Sequence, residues 1–302
     1  MTNENTQTLL LGDVEITRVV EARAPFAAAR DLVPDSGTDV WKENGDWLAP
    51  DHWQPDADLA VLALQTWVLR SGGRTVLVDT GVGNGRERPG SPLFHRRQGT
   101  FMADLEAAGV RPEEVDVVVN THLHADHVGW NTLDAGGEWV PAFPNAQYLI
   151  PAADDAYFGP RGGYGGGVRE VDRLVYEDSV APVHRTGQAI LWEGSHRIDG
   201  HLTLEAAPGH TPGSSVLRLA SGTDRAVFVG DMLHSPVQVL RPSCNSCFCM
   251  DAAQAADTRR RTLGRAAELG ELVVPAHFGG TGAFEVREEK GRFVIGAWAS
   301  GI

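Results

Sequence analysis

Three histidines and one aspartate fall within six consecutive residues, His122-Leu123-His124-Ala125-Asp126-His127. Neutral imidazole suits zinc, cobalt, nickel or iron(II), and a carboxylate adds hard oxygen and negative charge. One short loop of this composition can therefore grip two cations, with His122 and His124 turned one way and Asp126 and His127 the other. The plain alternative is a solvated loop that happens to carry four polar residues. Against it stands the apolar run Val115-Asp116-Val117-Val118-Val119-Asn120 immediately upstream, which reads as a buried strand ending in the loop.

Other groups of the same chemistry also stand after apolar runs. Asp79 follows Thr75-Val76-Leu77-Val78, and Asp231 follows Ala226-Val227-Phe228-Val229-Gly230. His277 follows Leu272-Val273-Val274-Pro275-Ala276. His210 sits in the tight turn Pro208-Gly209-His210-Thr211-Pro212-Gly213, after a strand predicted over 201–207. Several strands thus bring their ends, and their ligands, to one edge. A metal-bound histidine usually donates its other ring N–H to a carboxylate or carbonyl, and Asp79 suits that supporting place. His234, three residues past Asp231, reads equally as pocket-facing or packed.

The elements that must position these groups follow from pattern. Val14 to Val20 alternates as a half-buried strand, and the fold is expected to start there. Residues 21–57 lose periodicity and carry Trp41, Trp47 and Trp53. Those rings either staple a surface loop to the core or wall an apolar substrate pocket. Leu59 to Leu69 and Thr75 to Val78 predict a hairpin turning at Ser71-Gly72-Gly73, and Gly99 to Gly109 a helix. Residues 139–150 predict further strands, followed by a short helix over 151–157 and a glycine-rich surface loop over 158–167. Asp251 and Gln254 open an alanine-rich helix to Leu269, closed by Gly270, and Phe293-Val294-Ile295 predicts an edge strand.

Composition bounds the rest. The chain has 302 residues, 42% hydrophobic and 22% charged, as in a soluble globular protein, and it reads as one domain over 1–302. A net charge of −14 argues against nucleic acid and anionic membranes as partners. No run approaches the roughly 20 apolar residues of a membrane span, and the N-terminus lacks a secretory pattern, so a cytoplasmic location is expected. Cys244, Cys247 and Cys249 are odd in number and crowded, which favours buried or half-buried free thiols over a disulfide framework.

On H-x-H-x-D-H, Asp79-Thr80-Gly81, the Gly209-His210-Thr211 turn, Gly230-Asp231 and His277, the chain resembles the metallo-β-lactamase superfamily. The resemblance implies a four-layer αβ/βα sandwich, two mixed sheets flanked by helices, with a two-metal site at one edge. It puts His122, His124 and His210 on one ion, Asp126, His127 and His277 on the other, Asp231 between them and Asp79 behind them. Zinc is the default, with manganese, iron or cobalt admitted by the same ligands.

The expected chemistry is hydrolysis by a metal-bound hydroxide, with Asp126, Asp231 and His234 as the expected catalytic residues. The run Gly230-Asp231-Met232-Leu233-His234 is similar to that of the branch holding acyl-homoserine lactonases and methyl parathion hydrolase. A lactone or carboxylic ester is thus the expected substrate, a small molecule met by a monomer or homodimer. A phosphotriesterase, a thioesterase or cyclase, and a metal-binding protein without turnover are the alternatives. The lactonases' catalytic tyrosine has Tyr157, Tyr164 and Tyr176 as candidate equivalents.

Overall fold

The computed structural model describes residues 6–160 and 168–299, so Arg161 to Gly167 of the glycine-rich stretch, Tyr164 included, lie outside the described residues. Among the described residues the first sheet comprises β1 (Thr6–Leu11), β2 (Val14–Ala28), β3 (Trp53–Gln54), β4 (Leu59–Ser71), β5 (Arg74–Val78) and β6 (Val117–Val119). After a separate hairpin of β7 (Thr132–Asp134) and β8 (Trp139–Pro141), it is completed by β9 (Gln147–Pro151) and β10 (Ala189–Trp192). The second sheet runs in sequence order through β11 (Ser195–Arg197), β12 (Leu202–Ala206), β13 (Ser215–Ser221), β14 (Asp224–Gly230), β15 (Leu272–Pro275), β16 (Phe284–Glu289) and β17 (Arg292–Trp298). Both sheets are mixed: β5, β6, β9 and β10 pair in parallel, as do β14 and β15, within otherwise antiparallel surroundings.

The period of two along each strand builds the layers. In β5, Val76 and Val78 pack between the sheets while Leu77 faces the opposite way. In β14, Ala226 and Phe228 join that inner core, and Val227 and Val229 face outward. The outer face of the first sheet is covered through Phe101, Leu105, Phe158 and Val175, from the helices Phe101–Ala107, Ala152–Phe158 and Glu170–Val175. The outer face of the second is covered through Leu263 and Ala266 of the helix Ala252–Leu269. The order is helix, sheet, sheet, helix, as expected. Each such aliphatic or aromatic side chain contributes about 1.5–3 kcal/mol on burial, so three stacked apolar interfaces hold the sheets face to face.

Local rules account for the ends of the long helix. The Asp251 side chain accepts from the Gln254 N–H at 2.9 Å, and Gly270 closes the helix in the left-handed region at φ 64°. Among the described residues no helix is long and apolar enough to cross a membrane.

The structure departs from the sequence expectations at the N-terminal side. The fold does not start at Val14, because β1 precedes β2 and pairs with it. Nor does β2 stop at Val20: it continues to Ala28 against β4, with register shifts between Val20 and Ala22 and between Pro25 and Ala27. Each shift resets the alternation, which is why the strand pattern dissolves while the strand itself goes on. The remainder of 21–57 forms short helices and the two-residue strand β3, and Trp41 of a helix and Trp53 of β3 are buried with Leu32, Val33, Leu48 and Val237. Trp41 Nε1 donates to Ser36 Oγ and Trp53 Nε1 to Asp58 Oδ1, so these rings staple the segment to the core. Cys247 is exposed rather than buried, whereas Cys244 is buried.

One titratable ring lies inside this stapled region. His52 is buried, stacked on Trp298 at 5.2 Å and edge-on to Phe278 at 5.4 Å. Burial, with Arg23 and Arg18 nearby, lowers it from 6.5 to about 3. The folded protein therefore keeps His52 neutral while the unfolded chain protonates it below 6.5. Stability is lost as pH falls from there, with a limiting slope of about 1.4 kcal/mol per pH unit. His52→Phe is expected to lose stability more slowly than the parent protein on acidification below pH 6.5. Parallel stability curves in thermal melts would show that His52 does not set this slope.

Candidate metal centre

Every candidate ligand, and the supporting Asp79, leaves the C-terminal end of a strand or the loop that follows it. Asp79 comes directly after β5, His122 to His127 from the loop after β6, His210 from the turn after β12, Asp231 directly after β14 and His277 two residues after β15. Parallel pairing within each sheet makes β5 and β6, and β14 and β15, deliver their ends on the same side. Residues far apart in sequence meet there.

They form two groups sharing one carboxylate. His122 Nε2 lies 3.1 Å from His124 Nδ1, which lies 2.9 Å from His210 Nε2. Asp231 Oδ2 is 3.2 Å from His210 Nε2 and 3.6 Å from His122 Nε2. The other oxygen, Asp231 Oδ1, is 2.8 Å from His277 Nε2 and 3.0 Å from His127 Nε2. Asp126 completes that side, 3.8 Å from His127 Nε2 and 3.7 Å from His277 Nε2. Tetrahedral zinc with Zn–N bonds of about 2.0–2.1 Å sets its ligand atoms roughly 3.3 Å apart, the spacing found here. Two of these atoms, His127 Nε2 and Asp231 Oδ1, are buried without a hydrogen-bond partner although they lie 3.0 Å from each other. Lone pairs converging on a common point account for that better than a misaligned hydrogen bond. The residues present fit a divalent cation.

The supporting contacts fix which ring nitrogen faces inward. His127 Nδ1–H donates to Asp79 Oδ2 at 2.8 Å, and His277 Nδ1–H to the Ala63 carbonyl at 3.0 Å. Thr121 Oγ1 donates to Asp79 Oδ2 at 2.9 Å and therefore accepts from His122 Nδ1–H at 3.2 Å. In all three rings Nε2 is left as the free lone pair. Asp79 adopts φ 57°, a left-handed conformation that aspartate tolerates, and also accepts from the Thr121 N–H. Gly129, just past the loop, touches Val82 and Gly83 so closely that a Cβ would collide with the Val82 carbonyl.

Charge and burial compete across the cluster. Burial holds His122 and His124 well below the ordinary histidine range, helped by His127 beside the first and His210 beside the second. Burial pulls on His127 and His210 too, but Asp231 together with Asp79 and Asp126 raises His127 well above its ordinary value, and Asp231 together with Cys249 raises His210 to about 9. Asp231 is itself held well below the usual carboxylate range; burial opposes this, and His127 and His277 prevail.

Beside the cluster lies a cavity of about 870 Å³ whose lining includes His124, Asp126, Asp231, His234 and His277. Its apolar wall includes Phe26, Leu62, Phe94, Phe248 and Met250, and none of Trp41, Trp47 and Trp53 is among its lining residues. His234 is both packed and pocket-lining. It is buried, with Nε2 3.2 Å from Asp231 Oδ2 and Phe248 stacked on the ring at 5.8 Å, while Nδ1 has no hydrogen-bond partner. Tyr157 also lines the cavity, whereas Tyr176 is buried and donates to Asp155 Oδ1 at 2.7 Å.

Two carboxylates escaped the sequence reading. Glu21 accepts from the Val82 N–H and from Trp130 Nε1, tying together the loops after β5 and β6. Asp154 is fully buried, and burial pushes its carboxyl up to about 6 against the pull of the Gly213, Thr211 and Leu123 donors. Asp154 carried the same signal as Asp79, an acid closely following an apolar strand; Glu21 lies in the bulged part of β2, where no pattern survives.

Comparison with known proteins adds the following. Residues 61–277 match the Metallo-beta-lactamase superfamily. Over 129 residues the chain is 31% identical to N-acyl homoserine lactonase AttM of Azorhizobium caulinodans, covering 40% of this chain and 42% of the relative. The chain thus spans less than half the length of the curated relatives it matches. The crystal structure of hydrolase AbOPH in beta lactamase superfamily superposes with a TM-score of 0.80 at 21% identity, covering 98% of each chain. AidC, a dizinc quorum-quenching lactonase solved with the product N-hexnoyl-L-homoserine, superposes equally at 0.80 with 17% identity and 98% of each chain. At these identities the two structures establish a common fold.

Metal removal should be visible in stability, since a ligand of the folded state alone adds about 4 kcal/mol at a thousandfold excess over Kd. Chelation followed by dialysis is expected to lower Tm, and returned zinc to restore it. An unchanged Tm after elemental analysis shows the metal gone would mean that the cluster gains nothing from a cation.

Proposed function

The chain belongs to the Metallo-beta-lactamase superfamily, and from that premise we propose that it is a metal-dependent hydrolase of small ester-like molecules, with a lactone or carboxylic ester as substrate. The observation carrying this reading is the double ligand cluster around Asp231 beside an apolar-walled cavity. The names of AttM and of the dizinc AidC support a lactone as substrate and zinc as the metal. A net charge of −14 disfavours polyanionic substrates.

In this reading His122, His124 and His210 would hold one ion and Asp126, His127 and His277 a second, with Asp231 serving both. Such ions would supply Lewis acidity toward a carbonyl oxygen and would lower the pKa of bound water toward neutrality. The chain's own side chains do the rest. Asp231 offsets the mutual repulsion of two cations, and Asp79, Thr121 and the Ala63 carbonyl keep the ligand nitrogens turned inward. Phe26, Leu62, Phe94 and Phe248 take up the apolar part of the substrate and exclude water, which strengthens every charge interaction nearby.

Two groups are placed to handle protons and orientation. Burial lowers His234 to about 4, so its ring is neutral. With the proton on Nε2 facing Asp231, Nδ1 is an acceptor for a substrate N–H or O–H. Asp126, its side chain 16% exposed against 5% for Asp231, is the more open carboxylate and serves to pass a proton to the leaving oxygen.

A panel of lactones, aryl esters, thioesters, phosphotriesters and a β-lactam tests the substrate class. Turnover of lactones or carboxylic esters is expected, and activity confined to phosphodiesters or nucleic acid would overturn the reading. Asp231→Asn tests the centre itself. Losing the shared carboxylate is expected to loosen at least one metal and cut turnover by orders of magnitude while the core strands persist. A variant that kept both metals and a near-normal rate would remove Asp231 from the mechanism.

A further inference from the structure

We propose that Asp154 is the positioning residue for the three-histidine half of the centre: one buried carboxylate ties the loop carrying His122 and His124 to the turn carrying His210. The inference rests on the metal reading above and adds a residue to it. Asp154 follows β9 by three residues and is 0% exposed. Its Oδ2 accepts from the Leu123 N–H at 3.0 Å and from Thr211 Oγ1 at 2.9 Å. Its Oδ1 accepts from the Gly213 N–H at 2.6 Å. Leu123 separates His122 from His124, and Thr211 is the neighbour of His210. The carboxylate therefore holds the backbone between His122 and His124 and, through the Thr211 hydroxyl and the Gly213 N–H, the turn of His210; His124 Nδ1 lies 3.1 Å from His122 Nε2 and 2.9 Å from His210 Nε2.

The chemistry of the contact calls for a carboxylate. An amide at this place must turn its NH₂ toward either Leu123 or Gly213 and leave a buried N–H without an acceptor. The turn has been shaped to approach: a Cβ on Gly213 would lie 2.6 Å from Asp154 N and 2.8 Å from its Cγ. A second tie between the loops, from Ser215 N–H and Oγ to the Thr121 carbonyl at 3.0 and 2.9 Å, stays in place without Asp154. Loss of Asp154 thus shifts the ring positions more than it separates the loops. Its neighbour Asp155 is a natural comparator. It is buried in the same helix but accepts from Tyr176 Oη and pairs with His184 Nε2, neither of which belongs to the two loops that Asp154 joins.

The test is a zinc titration of metal-free protein against a competing chelator, reading two successive affinities, together with the metal-free Tm. Removing an outer partner of a metal ligand typically costs about 10- to 100-fold in affinity. Asp154→Asn is expected to weaken one zinc equivalent by roughly tenfold or more and to spare the other. Asp155→Asn is expected to lower the metal-free Tm and leave both affinities in place. In double-mutant cycles the Asp154→Asn effect should be absorbed by His210→Ala and should add to His277→Ala. If Asp154→Asn does not fold, Thr211→Val decides: it removes one donor to the carboxylate and should weaken the same equivalent by less. Unchanged affinities in the variant that folds, or equal weakening of both equivalents by Asp154→Asn and Asp155→Asn, would overturn the positioning role. A parent protein that takes up no zinc would overturn the metal reading itself, and this inference with it.

Discussion

The structure turns on the burial of one carboxylate. Asp231 is 6% exposed, at the point where the strand ends of both sheets meet, with imidazoles of His122, His127, His210, His234 and His277 around its two oxygens. An isolated charge in such a place is expensive, and it persists only when opposite charge is held against it. The split of its oxygens, Oδ2 toward His210 and Oδ1 toward His277, makes it the hinge between the two ligand groups. The two-sheet architecture exists around that requirement, because ligands from both sheets reach one carboxylate only if the sheets pack face to face with their strand ends aligned.

Ligand geometry of this kind cannot be left to loops alone. Three of the imidazoles are locked from behind, each by a different group: the Asp79 carboxylate for His127, the Ala63 carbonyl for His277 and the Thr121 hydroxyl for His122. His210 has only a thiol on its outer nitrogen, Cys249 Sγ at 3.9 Å, so its turn is held through the backbone instead. Asp154 supplies that hold, accepting from the Gly213 N–H and the Thr211 hydroxyl of the turn and from the Leu123 N–H of the neighbouring loop.

Much of the architecture was legible in the sequence because buried parallel strands are short apolar runs and chemistry placed at their ends stands out. Val117–Val119 before the histidine loop, Val227–Val229 before Asp231 and Val273–Val274 before His277 are of this type. The long helix announced itself through Asp251 and Gly270. What stayed hidden was of two kinds. Bulges in β2 erased the alternation that would have carried the strand to Ala28. The cavity wall could not be read at all, since Phe26, Phe94 and Phe248 come from three distant segments and form a surface only once folded. Trp41 and Trp53 left staple and pocket wall both open, because an aromatic residue in an irregular segment reads the same whether it faces a pocket or the core; the fold makes them staples. Asp154 was visible as an acid after a strand, but its role lies in which N–H groups it accepts from, and that is a property of the fold.

The separation of tasks is then clear. In the proposed function strand ends deliver the ligands, buried carboxylates aim them, and the aromatic wall bordering Asp126 and His234 meets the substrate. Everything in this account depends on two cations sharing Asp231. Anomalous scattering recorded at the zinc edge from crystals of the zinc-loaded protein tests it most directly. The account predicts two peaks, one among His122, His124 and His210 and one among Asp126, His127 and His277, with an Asp231 oxygen beside each. A single peak, or density on only one side of Asp231 at full loading, would contradict it.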